Sequence, residues 1–151
     1  MTQTEKAVFT NMCMIYDGNG NILVQDRKNP NWPGITFPGG HVEPRESFVD
    51  SVIREVWEET GLTIVNPTLC GVKQFQNREN ARYVVFFFKT DRFSGTLRSS
   101  DEGEVFWIPR KELPNYKLAD DFLSMVQVFE SDDLSEFYYE KIDGKWEMTL
   151  L

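Results

Sequence analysis

Cysteine and histidine are nearly missing from this chain. Its 151 residues hold two cysteines, Cys13 and Cys70, and one histidine, His41. Two cysteines this far apart form no zinc-ligand spacing and no disulfide framework, and one histidine excludes a multi-histidine metal site. Long apolar runs are absent too. The longest, Tyr83 to Phe88, is far too short to cross a membrane. No apolar stretch follows a basic start at the N-terminus, so no signal peptide is expected and a cytoplasmic setting follows. Basic residues are in the minority, 16 against 24 acids, for a net charge of −8. Such a balance lacks the electrostatic footprint of a general nucleic-acid binder. It is compatible with phosphate chemistry when a divalent cation reverses the local sign.

What is present suits one folded unit, so a single domain over 1–151 is expected. Residues 7–16 are rich in strand formers, Asp17-Gly18-Asn19-Gly20 is a turn signal, and 22–26 is apolar again, so 7–26 reads as a hairpin. Residues 28–40, with Pro30, Pro33 and Pro38, read as a structured loop in which Ile35-Thr36-Phe37 forms a short strand. From Pro44 to Thr60 the period changes. Phe48, Val49, Val52, Ile53, Val56 and Trp57 form one apolar helix face, and Gly61 closes the helix. Pro44 and Glu46 suit its first turn. Strand signals return at 69–75, 83–90 and 104–108, a second helix at 119–130, and a C-terminal β-hairpin at 136–150 around Asp143-Gly144. Without a βαβ rhythm, the class is α+β, or an α/β sandwich with a mixed sheet.

The predicted first helix carries Glu55, Glu58 and Glu59 at i, i+3 and i+4. Three carboxylates at that spacing share a face beside the apolar stripe and repel one another. A solvated acidic face would explain them as well. A hard cation such as Mg²⁺ or Mn²⁺ would turn the repulsion into binding. Arg54 can hold a carboxylate by two prongs, and Gly39-Gly40 lets backbone carbonyls come close to a ligand.

Gly40, five residues, Glu46, seven residues, then Arg54-Glu55-Val56-Trp57-Glu58-Glu59-Thr60-Gly61-Leu62 resembles the Nudix box at every specified position. Seven positions are of fixed type. At roughly 7% usage each, a chance match is on the order of 10⁻⁹ per starting position. The resemblance implies an α/β/α Nudix sandwich, a mixed sheet between helices with the box on a loop–helix–loop, plausible over 5–130.

It also implies a hydrolase of nucleoside diphosphates linked to another group. Mg²⁺, with Mn²⁺ as a substitute, would be held by Glu55, Glu58, Glu59 and the Gly39 carbonyl. Arg54 would orient a glutamate. Glu46 would fix a water or the helix start, or serve only as a first-turn acid. The general base or another ligand would be Glu102, with Glu104 as runner-up, or this segment is a plain acidic turn.

Within the family, the likeness is to the MutT type, which cuts nucleoside triphosphates, 8-oxo-dGTP among them, to monophosphate and pyrophosphate. Gly40 and the loop before it, Thr36, Asp120 and Asp121 are the substrate-side candidates. Thr36 stands where sanitising members carry a base-reading asparagine. Asp120-Asp121 follows Trp107 at a distance similar to their Trp-Pro-Asp-Asp segment, although helix-start acids read as well. Neither the N-terminal domain nor the proline-containing signature after the box, both typical of ADP-ribose pyrophosphatases, is expected here. ADP-ribose, a nucleotide sugar or a dinucleoside polyphosphate is the alternative substrate, and a non-catalytic nucleotide-sensing module is the alternative class. His41, Lys73 and Arg82 could meet phosphate or simply be surface charge. Phe37, Phe75 or Phe86 could stack on a base or be core. The partner is then a small nucleotide, with no membrane, and the protein a monomer or homodimer.

Overall fold

A computed structural model describes residues 2–151. In chain order the strands are β1 (Ala7–Ile15), β2 (Asn21–Arg27) and β3 (Gly34–Thr36), followed by helix α1 (Phe48–Thr60). Then come β4 (Leu62–Ile64), β5 (Thr68–Gln76), β6 (Arg82–Thr90), β7 (Phe93–Gly95) and β8 (Gly103–Pro109). A 3-10 helix (Arg110–Asn115), helix α2 (Phe122–Glu130), β9 (Glu136–Ile142) and β10 (Lys145–Leu150) complete the chain.

The strands form a mixed five-stranded sheet, β1-β6-β5-β9-β10, a three-stranded sheet, β3-β2-β8, and the small pair β4-β7. β1 runs parallel to β6, and β5 parallel to β9. Each central strand alternates its side chains between two cores. Met12 and Met14 of β1, Val24 of β2 and Phe87 of β6 join the core under α2, built on Met125, Val126 and Phe129. Cys13 and Ile15, Leu23 and Phe88 join the core under α1, built on Val52 and Val56. Burial on both faces explains the unbroken apolar run of β6. A helix on either side of mixed sheet is the expected α+β sandwich.

The predicted 7–26 hairpin is corrected. Only the turn forms, with the Asp17 N–H donating to the Asn21 carbonyl at 3.0 Å and an isolated Tyr16–Ile22 bridge. Beyond it β1 pairs with β6 and β2 with β8, so the strands part into different sheets. Turn chemistry sets a local reversal, whereas strand partners are chosen by long-range burial. Helix α1 starts at Phe48 rather than Pro44. Ser47 caps it, its hydroxyl accepting the Asp50 N–H at 2.9 Å. Gly61 ends it in the left-handed region at φ 77°, as expected of a C-terminal glycine. The apolar stripe is narrower than predicted. Val52 and Val56 are buried, while Phe48, Val49 and Trp57 are exposed. Helix α2 begins at Phe122 because Asp121 sits at φ 60°, outside helical geometry.

Candidate active site

Helix α1 lies under a tight loop, Pro38 to Gly40, that connects it to β1. The Pro38 carbonyl accepts the Cys13 N–H at 2.9 Å, and the Gly40 carbonyl accepts the Asn11 N–H at 2.8 Å. The Gly39 carbonyl between them takes part in no hydrogen bond among the described residues. Backbone neighbours demand glycine at 39, and Gly40 lies against the Glu55 side chain. A Cβ on Gly39 would lie 2.1 Å from the Asn11 carbonyl oxygen, and one on Gly40 would lie 2.3 Å from the Glu55 carboxylate. So Glu55 rests directly against the loop.

The three glutamates occupy three environments. Glu59 is only 5% exposed and belongs to the buried stripe of α1, not to its edge as the sequence suggested. Its Oε2 accepts the Gly39 N–H at 3.0 Å and the Gln25 amide at 3.2 Å, both neutral donors. Burial pushes its carboxyl up to about 7, and the charges of Glu55 and Glu102 add to the rise. Glu55 is half-buried and also raised, by burial and by repulsion from Glu58. Glu58 is exposed.

Arg98 donates to the Glu58 and Trp57 carbonyls at 3.3 and 3.2 Å, and among the described residues Arg54 is the guanidinium that pairs with these carboxylates. Its Nε and Nη2 grip Glu46 at 2.7 and 2.9 Å, and its Nη1 reaches Glu55 at 2.9 Å and Glu58 at 3.2 Å. Nη2 also donates to the His41 carbonyl at 3.0 Å. The two-pronged bond holds the Glu46 carboxyl down at about 2. Glu46 precedes the helix, so it acts as an anchor for Arg54 and not as a first-turn acid.

As placed, no three Asp, Glu, His or Cys side chains among the described residues are gathered closely enough to hold a metal ion. The physical reason is visible. Arg54 draws Glu55 and Glu58 toward itself, while Glu59 points at Gly39 and Gln25. The donor chemistry nonetheless fits a hard divalent cation. Anionic oxygens exceed the Arg54 guanidinium, two of the carboxyls are strained upward by burial, and an unbonded carbonyl lies beside them.

The remaining candidates fall into two groups. Glu102 is exposed, its carbonyl accepts the Lys28 N–H at 3.2 Å, and its charge is felt at Glu59. Glu104, the runner-up, is exposed on β8. Thr36 is fully buried, with its hydroxyl turned to the Phe37 carbonyl and the Met12 sulfur, so it presents no free edge to a base. Asp120 and Asp121 are exposed, and Asp121 accepts the Tyr139 hydroxyl. Arg82 pairs with Glu5, and the His41 side chain is exposed. Phe37 is core, edge-on to Phe122 and Phe129, while Phe86 packs with the exposed Phe9 and Phe48. Lys73 is buried rather than superficial.

Sequence reasoning missed the polar residues that hold the loop. Asn11 is 4% exposed, donates to the Ser51 hydroxyl at 2.8 Å and accepts the Gly40 N–H at 3.0 Å. Gln25 is 1% exposed and meets Glu59. The available signal was a polar residue inside an otherwise apolar strand, which must find a partner when buried.

An acid-rich helix face under a glycine loop, on a helix–sheet–helix frame, offers hard oxygen donors of the kind that suit a divalent cation and, through it, phosphate. The NUDIX domain model matches residues 8–129, and the chain belongs to that family as a Nudix hydrolase. It is 33% identical over 112 residues to the uncharacterized Nudix hydrolase YvcI of Bacillus subtilis, covering 71% of this chain and 69% of that one. It is 33% identical over 116 residues to the ADP-ribose pyrophosphatase of Methanocaldococcus jannaschii, covering 75% and 68%. It is 31% identical over 112 residues to human 8-oxo-dGDP phosphatase NUDT18, covering 71% of this chain but only 33% of that protein. Among solved structures, the mutator MutT protein of Bacillus halodurans superposes with a TM-score of 0.74 at 28% identity, over 95% of this chain and 97% of that one.

Proposed function

We propose that this protein is a Mg²⁺-dependent pyrophosphohydrolase of the MutT type, cutting a (deoxy)nucleoside triphosphate to the monophosphate and pyrophosphate. 8-oxo-dGTP is the leading candidate. The observation that carries the reading is the excess of carboxylate around Glu59, beside the unbonded Gly39 carbonyl, at a glycine whose backbone neighbours leave no room for a side chain. Glu55, Glu58, Glu59 and the Gly39 carbonyl are the residues that would hold Mg²⁺, or Mn²⁺ in its place. The bound cation would neutralise the phosphates and polarise the phosphoryl group. Arg54, itself anchored by Glu46, sets the direction of Glu55 and Glu58. Glu102 is the assigned general base toward the attacking water, and Gly40 gives the phosphates room to approach. Asp120 and Asp121 stand on the base side. The likeness to an 8-oxo-dGDP phosphatase supports an oxidised purine nucleotide.

A second reading is ADP-ribose hydrolysis, favoured by the identity to an ADP-ribose pyrophosphatase over 68% of its length and by the burial of Thr36. The test is a panel of normal and oxidised nucleoside triphosphates, ADP-ribose and a sugar nucleotide with Mg²⁺, with pyrophosphate and orthophosphate detected separately. Pyrophosphate from triphosphates supports the first reading. AMP from ADP-ribose without pyrophosphate supports the second. No Mg²⁺-dependent turnover of any nucleotide overturns both.

A further inference from the structure

Lys73 lies on β5, opposite Val85 of β6 and Phe137 of β9, and is 9% exposed. Its ammonium donates none of the hydrogen bonds found among the described residues and forms no ion pair there. Instead it lies 5.0 Å from the ring centre of Trp32, 5.3 Å from Tyr139, and 5.6 Å from both Phe75 and Phe137. Ring faces attract a cation but accept no ordinary hydrogen bonds from its three N–H groups. Burial disfavours that charge most, the nearby carboxylate of Asp121 partly offsets this, and the charge of Arg27 adds to it. No fully sealed side-chain nitrogen or oxygen lacks a partner, so the Lys73 tip retains access to the surface.

The cage is joined to the candidate site. Gln25 meets Glu59, and Arg27, two residues further along the same face of β2, lies over Trp32 and donates to its carbonyl at 3.1 Å. Two residues of strand span about 7 Å. Trp32 in turn donates its indole N–H to the Asp120 carbonyl at 3.2 Å, and Tyr139 donates to Asp121. The loop after β2, the start of α2 and the C-terminal hairpin thus meet around an ammonium with no hydrogen-bond partner among the described residues.

We propose that Lys73 is the specificity-determining residue of the nucleotide site and donates to a carbonyl oxygen on the base of the substrate. The occupant is a keto nucleobase. Phosphate suits the place poorly, because the walls are aromatic and the rim carries Asp120 and Asp121. An amino group at the same ring position would leave the ammonium without an acceptor and oppose donor to donor. This rests on the nucleotide reading above and specifies which part of the base is read.

The test is calorimetric binding of IMP and AMP, which differ at that edge, and of UMP and CMP as a second pair, to wild type and to Lys73→Met. The wild type is expected to hold the keto member of each pair roughly 10- to 100-fold more tightly, and Lys73→Met to bring both ratios close to one. Lys73→Arg, which keeps a donor, should retain part of the preference. Equal binding within each pair by the wild type, binding of none of the four, or a preference unchanged in Lys73→Met overturns the proposal. Pyrophosphate release from triphosphates is measured separately, so a failed hydrolase reading and a failed assignment of Lys73 give different results.

Discussion

The two helices sit on opposite faces of the same sheets and are built in opposite ways. Helix α2 buries Phe122, Met125, Val126, Val128 and Phe129 without a charge among them. Helix α1 buries Ser51, Val52, Val56, Thr60 and a glutamate. Two buried ionisable groups repeat the contrast. Glu59 on the α1 side is held by neutral hydrogen-bond donors, and its carboxyl is pushed up to about 7. Lys73 on the α2 side is held by aromatic rings, and its ammonium is pushed down to about 8. Neither group has an opposite charge in contact. A core of this kind spends stability on groups that await a partner.

The sharpest way to break the contrast is to damage the α2 side. Phe129→Ala removes a ring that stacks on Phe87 at 4.3 Å and meets Phe37, and should cost about 3–5 kcal/mol in urea unfolding. A cost below about 1 kcal/mol would show that α2 is not the principal packing face. On the α1 side, Glu58→Gln leaves packing alone because Glu58 is exposed. It should lower kcat by roughly 10²–10³-fold with unfolding unchanged, in steady-state kinetics with Mg²⁺.

The two charges should also respond differently when neutralised. Lys73 has a folded pKa of about 8, below its ordinary 10.5. The unfolded chain therefore holds this proton over a higher range, so wild-type stability should rise with pH from about 8 to 10.5 relative to Lys73→Met. The gain is about 3–4 kcal/mol at 1.36 kcal/mol per pH unit. Parallel stability curves for the two proteins across that window would refute the buried charge. Arg54→Lys keeps the charge but loses the two-pronged grip on Glu46, and should reduce kcat about 10–100-fold, with little effect on Tm. A fully active Arg54→Lys would show that the grip positions nothing.

Legibility in the sequence followed the range of the interactions. The box, its helix and the Gly61 cap were readable because a single helix turn fixes which residues share a face. Strand positions were readable from β-rich runs. Partner choice was not, and β1 and β2 therefore parted where a hairpin was expected. The short pair β4-β7 went unseen because three residues carry too little pattern. The burial of Glu59 depends on Gln25 and Gly39, which lie 34 and 20 residues away. The cage around Lys73 draws its rings from residues 32, 75, 137 and 139, and no local spacing announces such a cluster.

On the proposed reading the carboxylates of α1 form a divalent-cation site. Titration of Mn²⁺ followed by electron paramagnetic resonance, in wild type and in Glu59→Gln without nucleotide, tests it most directly. The account predicts saturable loss of the free Mn²⁺ signal in the wild type and a marked weakening in Glu59→Gln, with Mg²⁺ competing for the same site. Equal Mn²⁺ binding by the two proteins, or none by the wild type, would contradict it.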